Sequence, residues 1–440
     1  MGEPIREDIL RVFRAAVSAA DPAGAVERSV SLAGSCLAVE DRSFDLDRFE
    51  RLIVLGAGKA SLQMARALLG ILEGRPAEGS ISTPGRAQGI GGLEVFRAEH
   101  PVPGAGSRAA ADRAMEMAGG AGPRDLLFCL ISGGASSLWS LPAPGIDLAE
   151  MALTTRLLLN CGADIHEINA IRKHVSGIKG GGLARAAHPA ALVTLAISDV
   201  IGDEPSSIGS GPTVPDPTTF DQALRTVLSY GLDGELPPSV VKRLRKGAEG
   251  RVEETPKPGD PLFDGSIAVI AASNRLAVEA AAAEGRRLGY DTRIISTEIR
   301  GEARRVGEEL VESARHTVCE LREIERPAML IAGGETTVTV RGGGRGGRNQ
   351  ELTLAAAIAM EGGEPMMLAS MGTDGIDGNT DAAGAFADEG TVSRARERGM
   401  EASAYLDDND SNTFFGELGD LVRTGPTGTN VMDVQVIVLP

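Results

Sequence analysis

Short runs that are apolar on both faces recur along this chain, and each ends in a turn rich in glycine or hydroxyl residues. RLIVLG (51–56) leads into KASLQMARALLGIL, DLLFCLIS (125–132) into GGASS, and AALVTLAIS (190–198) into DVIGDEPSS. A strand covered by helices on both sides of a parallel sheet has this pattern. It restarts near residue 265. IAVIAAS (267–273) precedes NRLAVEAAAAEGRRLG, DTRIIST (291–297) precedes a helix expected from 302 to about 323, and AMLIAGG (328–334), MMLASMG (366–372) and MDVQVIVL (432–439) follow. At 440 residues the chain exceeds one ordinary core. The expectation is therefore α/β, in two domains, 1–250 and 251–440, with the polar, proline-bearing residues 249–264 as linker. Ligands of such sheets bind beyond the carboxyl ends of the strands. The polar and glycine-rich segments fall there, strand after strand, so the chain reads as an enzyme.

Charge narrows the partners. A formal net charge of −17 argues against a nucleic-acid or anionic-membrane surface, and aromatics at 3%, with Trp139 the sole tryptophan, leave little for stacking bases. Cys36, Cys129, Cys161 and Cys319 show no metal-ligand or redox spacing, which suits a reducing compartment. The first helix is amphipathic with mixed charge, no run approaches membrane-spanning length, and the expected setting is the cytoplasm.

Five segments carry chemistry. RGGGRGGRNQE (341–351) interleaves glycine and arginine after the alternating TTVTV and before the apolar LTLAAAIAM. Glycine permits close backbone approach to an anion, and arginine adds fork-shaped donors; a loose surface loop is the plain alternative. Gly56-Ala57-Gly58-Lys59 resembles two phosphate-binding signatures and completes neither. Ile53 and Ala60 spoil a Walker A loop. Ser61 takes the place of the third glycine of a dinucleotide fingerprint, and ISTPGR (81–86) lacks its acidic residue. What survives is a tight turn with a lysine at a helix start, suited to a phosphoryl group, although a surface lysine reads the same way. Ser132, Gly133, Gly134, Ala135, Ser136 and Ser137 suit an anion cradle of backbone N–H groups, or a buried tight turn. Residues 169–182 bring Arg172, Lys173, His174 and Lys179 to a glycine-rich end, either for an anion or as a solvated face. Asp199 and Asp203 at one strand end are candidates for proton acceptance or Mg²⁺, with a helix cap as the dull reading, and Asp374 and Asp377 after another strand are candidates for Mg²⁺, with Asx turns as the dull reading.

Taken in order, LGAGKAS, EHPVPGAGS, LISGGASSL, INAIRKHVSGIKGGGLA, AISDVIGD with GSGPTVPDPTTF, GGETTV, GGRNQEL and GTDGIDGNTDAAGA resemble the class II glycerate 2-kinases with a C-terminal MOFRL domain, over residues 5–440. The resemblance implies two three-layer α/β/α domains, the first Rossmann-like with a mainly parallel sheet, the second a mixed-sheet MOFRL domain, with the active site in the cleft between them. It implies ATP, Mg²⁺ and D-glycerate, and transfer to the 2-hydroxyl. Lys59 and Arg348 correspond to the catalytic pair of that family. Arg172, Lys179, Arg345 and Asn349 are then expected on phosphate or the glycerate carboxylate, with Asp199 as base or metal ligand and Asp203, Asp374 and Asp377 as metal ligands. An NAD(P)H-dependent hydroxypyruvate reductase and a non-catalytic binder of small phosphorylated acids are the rival readings. A homodimer stays open.

Overall fold

The computed structural model describes residues 2–85, 88–317 and 324–440. Arg86, Cys319 and the far end of the helix expected to reach about residue 323 lie outside them. The chain divides into one unit of residues 22–271 and a second made of residues 2–21 and 272–440.

In the first unit six strands form one sheet in the order Leu93–Arg97, Ala77–Thr83, Arg51–Ala57, Asp125–Ile131, Ala191–Ile197, Ile267–Ala272. The first five of these pair in parallel. Every residue of Asp125–Ile131 is buried, as its two-sided apolar character requires. From Arg51–Ala57 the chain builds outward first to one side and later to the other. The strand order therefore reverses between Arg51–Ala57 and Asp125–Ile131, which opens a crevice at their carboxyl ends. A small antiparallel meander, Val30–Ala33, Cys36–Val39 and Arg42–Asp45, precedes the sheet.

The second unit has a mixed sheet in the order Asp291–Ile299, Ala328–Gly334, Asp433–Leu439, Met367–Gly372, Gly384–Asp388, Leu421–Val422. Its first pair is parallel and the others antiparallel. The helix Arg348–Met360 is buried on nearly every side, which explains its unbroken LTLAAAIAM run. The alternating TTVTV forms no strand. Only Thr337 bridges, to Glu302, and Val340 is exposed.

Two boundaries differ from the sequence reading. The helix Gly2–Ala19 belongs with the C-terminal unit, burying Ile9, Val12, Phe13 and Ala16, and Tyr290 there donates its hydroxyl to Asp8 at 2.8 Å. Residues 249–264 are not a linker but part of the first unit. Pro256 O accepts from Asp216 N at 2.8 Å, Thr255 Oγ1 donates to Asp216 Oδ2 at 2.9 Å, and Glu254 accepts from Phe220 N at 2.7 Å. Polar and proline residues signal irregular backbone, and irregular backbone can still be tied down by side-chain hydrogen bonds.

Candidate active site

At the reversal point the two strands are stapled by a serine. Ser132 N donates to Ala57 O at 3.1 Å, and its Oγ accepts from Ala60 N at 3.0 Å. Gly58 must be glycine: its φ is +143°, and a Cβ there would stand 2.0 Å from Ser132 Oγ. Lys59 N donates to Gly133 O at 2.9 Å, so the lysine leaves the turn with its backbone committed and its side chain exposed. Ser61 Oγ donates to Gly58 O at 2.8 Å and to Ser82 O at 3.1 Å. That hydroxyl fills the space a dinucleotide fingerprint keeps open with its third glycine.

The turn 132–137 is the hub of the site. Ser132, Ala135 and Ser137 spend their amides on Ala57 O, Ser132 O and Gly134 O. Among the described residues, this leaves the amides of Gly133, Gly134 and Ser136 for the cradle, narrower than the sequence reading. Ser137 Oγ donates to Pro101 O at 2.7 Å, and Ser136 Oγ pairs with Ser210 Oγ at 2.9 Å. His100 lies beside Gly134; burial, with Lys59 adding repulsion, holds its pKa below the usual histidine value. His100 lies in the segment EHPVPGAGS that carries the family resemblance, but no role was read for it from the sequence.

Cations close one side. Lys179 is buried, donates to Ser136 O at 2.7 Å and to Trp139 O at 2.9 Å, and is pushed down to about 7 by burial and then by Arg172. It props the turn with two of its three donors. Arg172 is half-buried, its pKa is lowered by desolvation, and among the described residues it has no carboxylate partner. An arginine that is desolvated yet unpaired suits an incoming anion. Its neighbours are structural. Lys173 pairs with the fully buried Asp216 at 3.1 Å, and His174 bonds Ala170 O at 2.6 Å and Glu254 at 3.2 Å. The cation run thus divides residue by residue between site and core.

Asp199 follows the strand Ala191–Ile197, and its Oδ2 would stand 2.6 Å from a Cβ on Gly133, so its carboxylate borders the cradle. Asp203 is half-buried in a left-handed conformation with φ +53°. No group of three or more His, Cys, Asp or Glu side chains able to hold a metal occurs among the described residues. Mg²⁺ that arrives with nucleotide phosphates needs only one or two protein carboxylates, and Asp199 and Asp203 both follow the strand Ala191–Ile197.

In the second unit the Gly/Arg loop proves to be something other than a backbone cradle. Arg341 N and Gly342 N donate to Asn409 Oδ1 at 2.7 and 3.0 Å, Gly343 N to Asp408 Oδ1 at 3.0 Å, Gly344 N to Asp408 O at 3.0 Å, and Arg345 N to Asp410 Oδ1 at 2.8 Å. The amides are therefore spent within the protein. The glycines are needed because residues 408–411 press on the loop: a Cβ on Gly342 would meet Asp408 Oδ1 at 2.3 Å, and one on Gly344 would meet Asp410 Cβ at 2.3 Å. Arg345 keeps an exposed side chain.

Arg348 opens the following helix. Its Nε and Nη2 donate to the two oxygens of Asp433 at 2.6 and 2.9 Å, and Nη1 pairs with Glu335 at 2.6 Å. Asp433 is fully buried, and burial, against the pull of Arg348, pushes its carboxyl up to about 6. The Arg348 pKa is raised as well: burial works against its charged form, and the hydrogen bonds and charge of Asp433, with Glu335, outweigh it. Neither Asp433 nor Glu335 was singled out in the sequence; Asp433 begins the last strand of the sheet and Glu335 follows the strand Ala328–Gly334.

Three expected site residues are structural. Asp377 is buried and takes four hydrogen bonds from the start of the helix Arg348–Met360: Asn349 N at 3.1 Å, Asn349 Nδ2 at 3.3 Å, Gln350 N at 2.9 Å and Gln350 Nε2 at 2.9 Å. It is the cap of that helix, with no lone pairs to spare for a metal. Asn349 is buried between Asp377 and Ser370, whose Oγ donates to its Oδ1 at 2.6 Å, so it does not reach a ligand. Asp374 closes an Asx turn on Ile376 N at 3.1 Å. Lys59 and Arg348 stand on different units.

Comparison with known proteins places these features. Residues 8–245 match the family model described as a domain of unknown function (DUF4147), and residues 328–433 match the MOFRL family. The chain is 39% identical to the glycerate 2-kinase of Pyrococcus horikoshii, covering 99% of this chain and 97% of that one. It is 41% identical to an Agrobacterium vitis protein whose name proposes a hydroxypyruvate reductase, over 99% and 94% of the two chains. The crystal structure of the glycerate kinase of Thermotoga maritima superposes with a TM-score of 0.87 at 35% identity, covering 100% of both chains. The chain belongs to the glycerate 2-kinase family, in which a DUF4147 region precedes a MOFRL domain.

Proposed function

We propose that this chain transfers the γ-phosphoryl group of ATP to the 2-hydroxyl of D-glycerate, giving 2-phosphoglycerate and ADP. The observation that carries the reading is the desolvated Arg172, which has no carboxylate partner among the described residues and acts electrostatically on the Lys179 that props the 132–137 turn, in a family whose relatives bear glycerate kinase names. Both substrates are anions, and phosphoryl transfer asks chiefly for positioning and neutralisation of charge. Arg172 takes the glycerate carboxylate, the amides of Gly133 and Gly134 take an anionic oxygen, and Lys59 acts on the transferring phosphoryl. On the second unit Arg348, gripped at two points by Asp433 and paired with Glu335, is the further catalytic cation that the family resemblance implies, and Arg345 stands near it in the chain with an exposed side chain.

The glycerate oxygen bonds to phosphorus as the bond to the ADP oxygen breaks, and the hydroxyl proton passes to Asp199. Mg²⁺, held by Asp199 or Asp203 with the nucleotide, would neutralise phosphate charge. The reductase reading is weaker, because Ser61 fills the fingerprint position and the neighbouring strand Ala77–Thr83 ends without an acidic residue. A cytoplasmic setting suits the free thiols of Cys36, Cys129 and Cys161.

An ATP-coupled assay with D-glycerate, with phosphorus NMR to name the isomer, tests the reaction. Oxidation of NAD(P)H on adding hydroxypyruvate, with no ADP formed from glycerate, would replace it by the reductase reading. Lys59→Ala and Arg348→Ala are each expected to lower kcat by about 10²–10³-fold. Near-normal turnover in either removes that residue from the mechanism.

A further inference from the structure

Apart from the 132–137 turn, the first unit carries a groove of about 440 Å³ between Pro144, Pro238 and Val252, lined by Lys242, Arg243 and Lys246. All three cations come from the helix Pro238–Ala248. Its other side buries Val240, Val241, Leu244 and Gly247, and Gly247 lies so close to Phe220 that a Cβ would stand 2.1 Å from the ring. That packing turns the basic side of the helix into the groove.

Arg243 is the central residue. Its Nε donates to His174 O at 2.7 Å and its guanidinium lies 5.7 Å from the centre of the Phe220 ring, which leaves its Nη edge for a ligand. Burial lowers its pKa, and no compensating carboxylate reaches it. Among the described residues none of the three cations forms an ion pair. The nearby acids are committed elsewhere: Glu150 accepts from Ser239 Oγ at 2.7 Å and from Asp147 N at 2.9 Å, Asp233 pairs with Arg245 at 3.6 Å, and Glu249 pairs with Arg251. In a chain of net charge −17, three unpaired cations on one concave surface are a local reversal of sign.

We propose that this groove is a second anion site, which binds a phosphate group or the phosphate monoester of a small metabolite. A fork-shaped guanidinium backed by an aromatic ring and flanked by two ammonium groups matches a compact polyanion. The volume is that of a small-molecule site.

Calorimetric titration with inorganic pyrophosphate tests the proposal on the full chain, in the wild type, in Lys242→Gln/Lys246→Gln, in Arg172→Ala and in Arg245→Gln. The double variant lies on the exposed helix face and is expected to keep the wild-type Tm while losing one binding event, or about tenfold in its affinity. Arg172→Ala retains that event. Arg245→Gln removes charge from the same helix outside the groove and leaves it unchanged. Unaltered binding in the double variant, an equal loss in Arg245→Gln, or disappearance of all binding in Arg172→Ala overturns the proposal.

Discussion

Replacing Asp377 by asparagine separates a helix cap from a metal ligand. Asparagine keeps one acceptor oxygen, enough for Asn349 N, but sets an NH₂ group against Gln350 N, which now donates to Asp377 Oδ2 at 2.9 Å. Gln350 Nε2 retains Thr380 Oγ1 at 3.1 Å and loses less. An orphaned buried amide costs about 1–3 kcal/mol, and loss of a negative charge at a helix start adds about 0.3–1 kcal/mol. Part of this is offset, because burial already raises the Asp377 carboxyl and so penalises its charged form. The net expectation is about 2–3 kcal/mol, or a fall in Tm of about 4–12 °C for a unit of this size. Thermal unfolding followed by circular dichroism measures it. Turnover also falls, because Arg348 is the first residue of the capped helix, and added Mg²⁺ does not restore it. An unchanged Tm with activity regained at high Mg²⁺ would refute the cap and reinstate the metal ligand.

Gly58→Ala sets a Cβ 2.0 Å from Ser132 Oγ at a φ of +143°, and is expected to destabilise the first unit by about 2–6 kcal/mol in urea unfolding. Wild-type stability would show that the strand ends can part at no cost. Asp433, pushed up to about 6, binds its proton more tightly folded than unfolded. Its contribution to stability is therefore fully present below the ordinary carboxylate range near 3.8 and is lost as pH rises to about 6. Relative to Asp433→Asn, the wild type is expected to lose stability from about pH 4 to 6, and parallel pH profiles would contradict the assignment.

Much of the fold was legible because a strand buried on two faces has few other ways to be written. The runs at 51–56, 125–132, 328–334 and 432–439 all became strands within a residue or two. The division of the chain was less so. The face of Gly2–Ala19 is apolar wherever the helix docks, and no local pattern says that its partner is a helix some 270 positions away. Local chemistry likewise marked Lys59, Arg172 and the turn at 132–137, where glycines and hydroxyls end a strand. It could not separate Arg172 from Lys173, because adjacent helix positions differ only in the direction they face.

From residue types and their order came an α/β enzyme, the strands, and the glycine turns at their ends, and the resemblance of the ordered segments to a known family added the glycerate kinase type. Tertiary structure decided which polar groups are already spent. The amides of residues 341–345 belong to the 408–410 segment, Asp377 to a helix start, and Lys179 to two carbonyl oxygens. The reason is that a hydrogen bond is made once. A donor or acceptor is available to a ligand only if the folded chain has not used it, and its partner can come from any distance along the sequence.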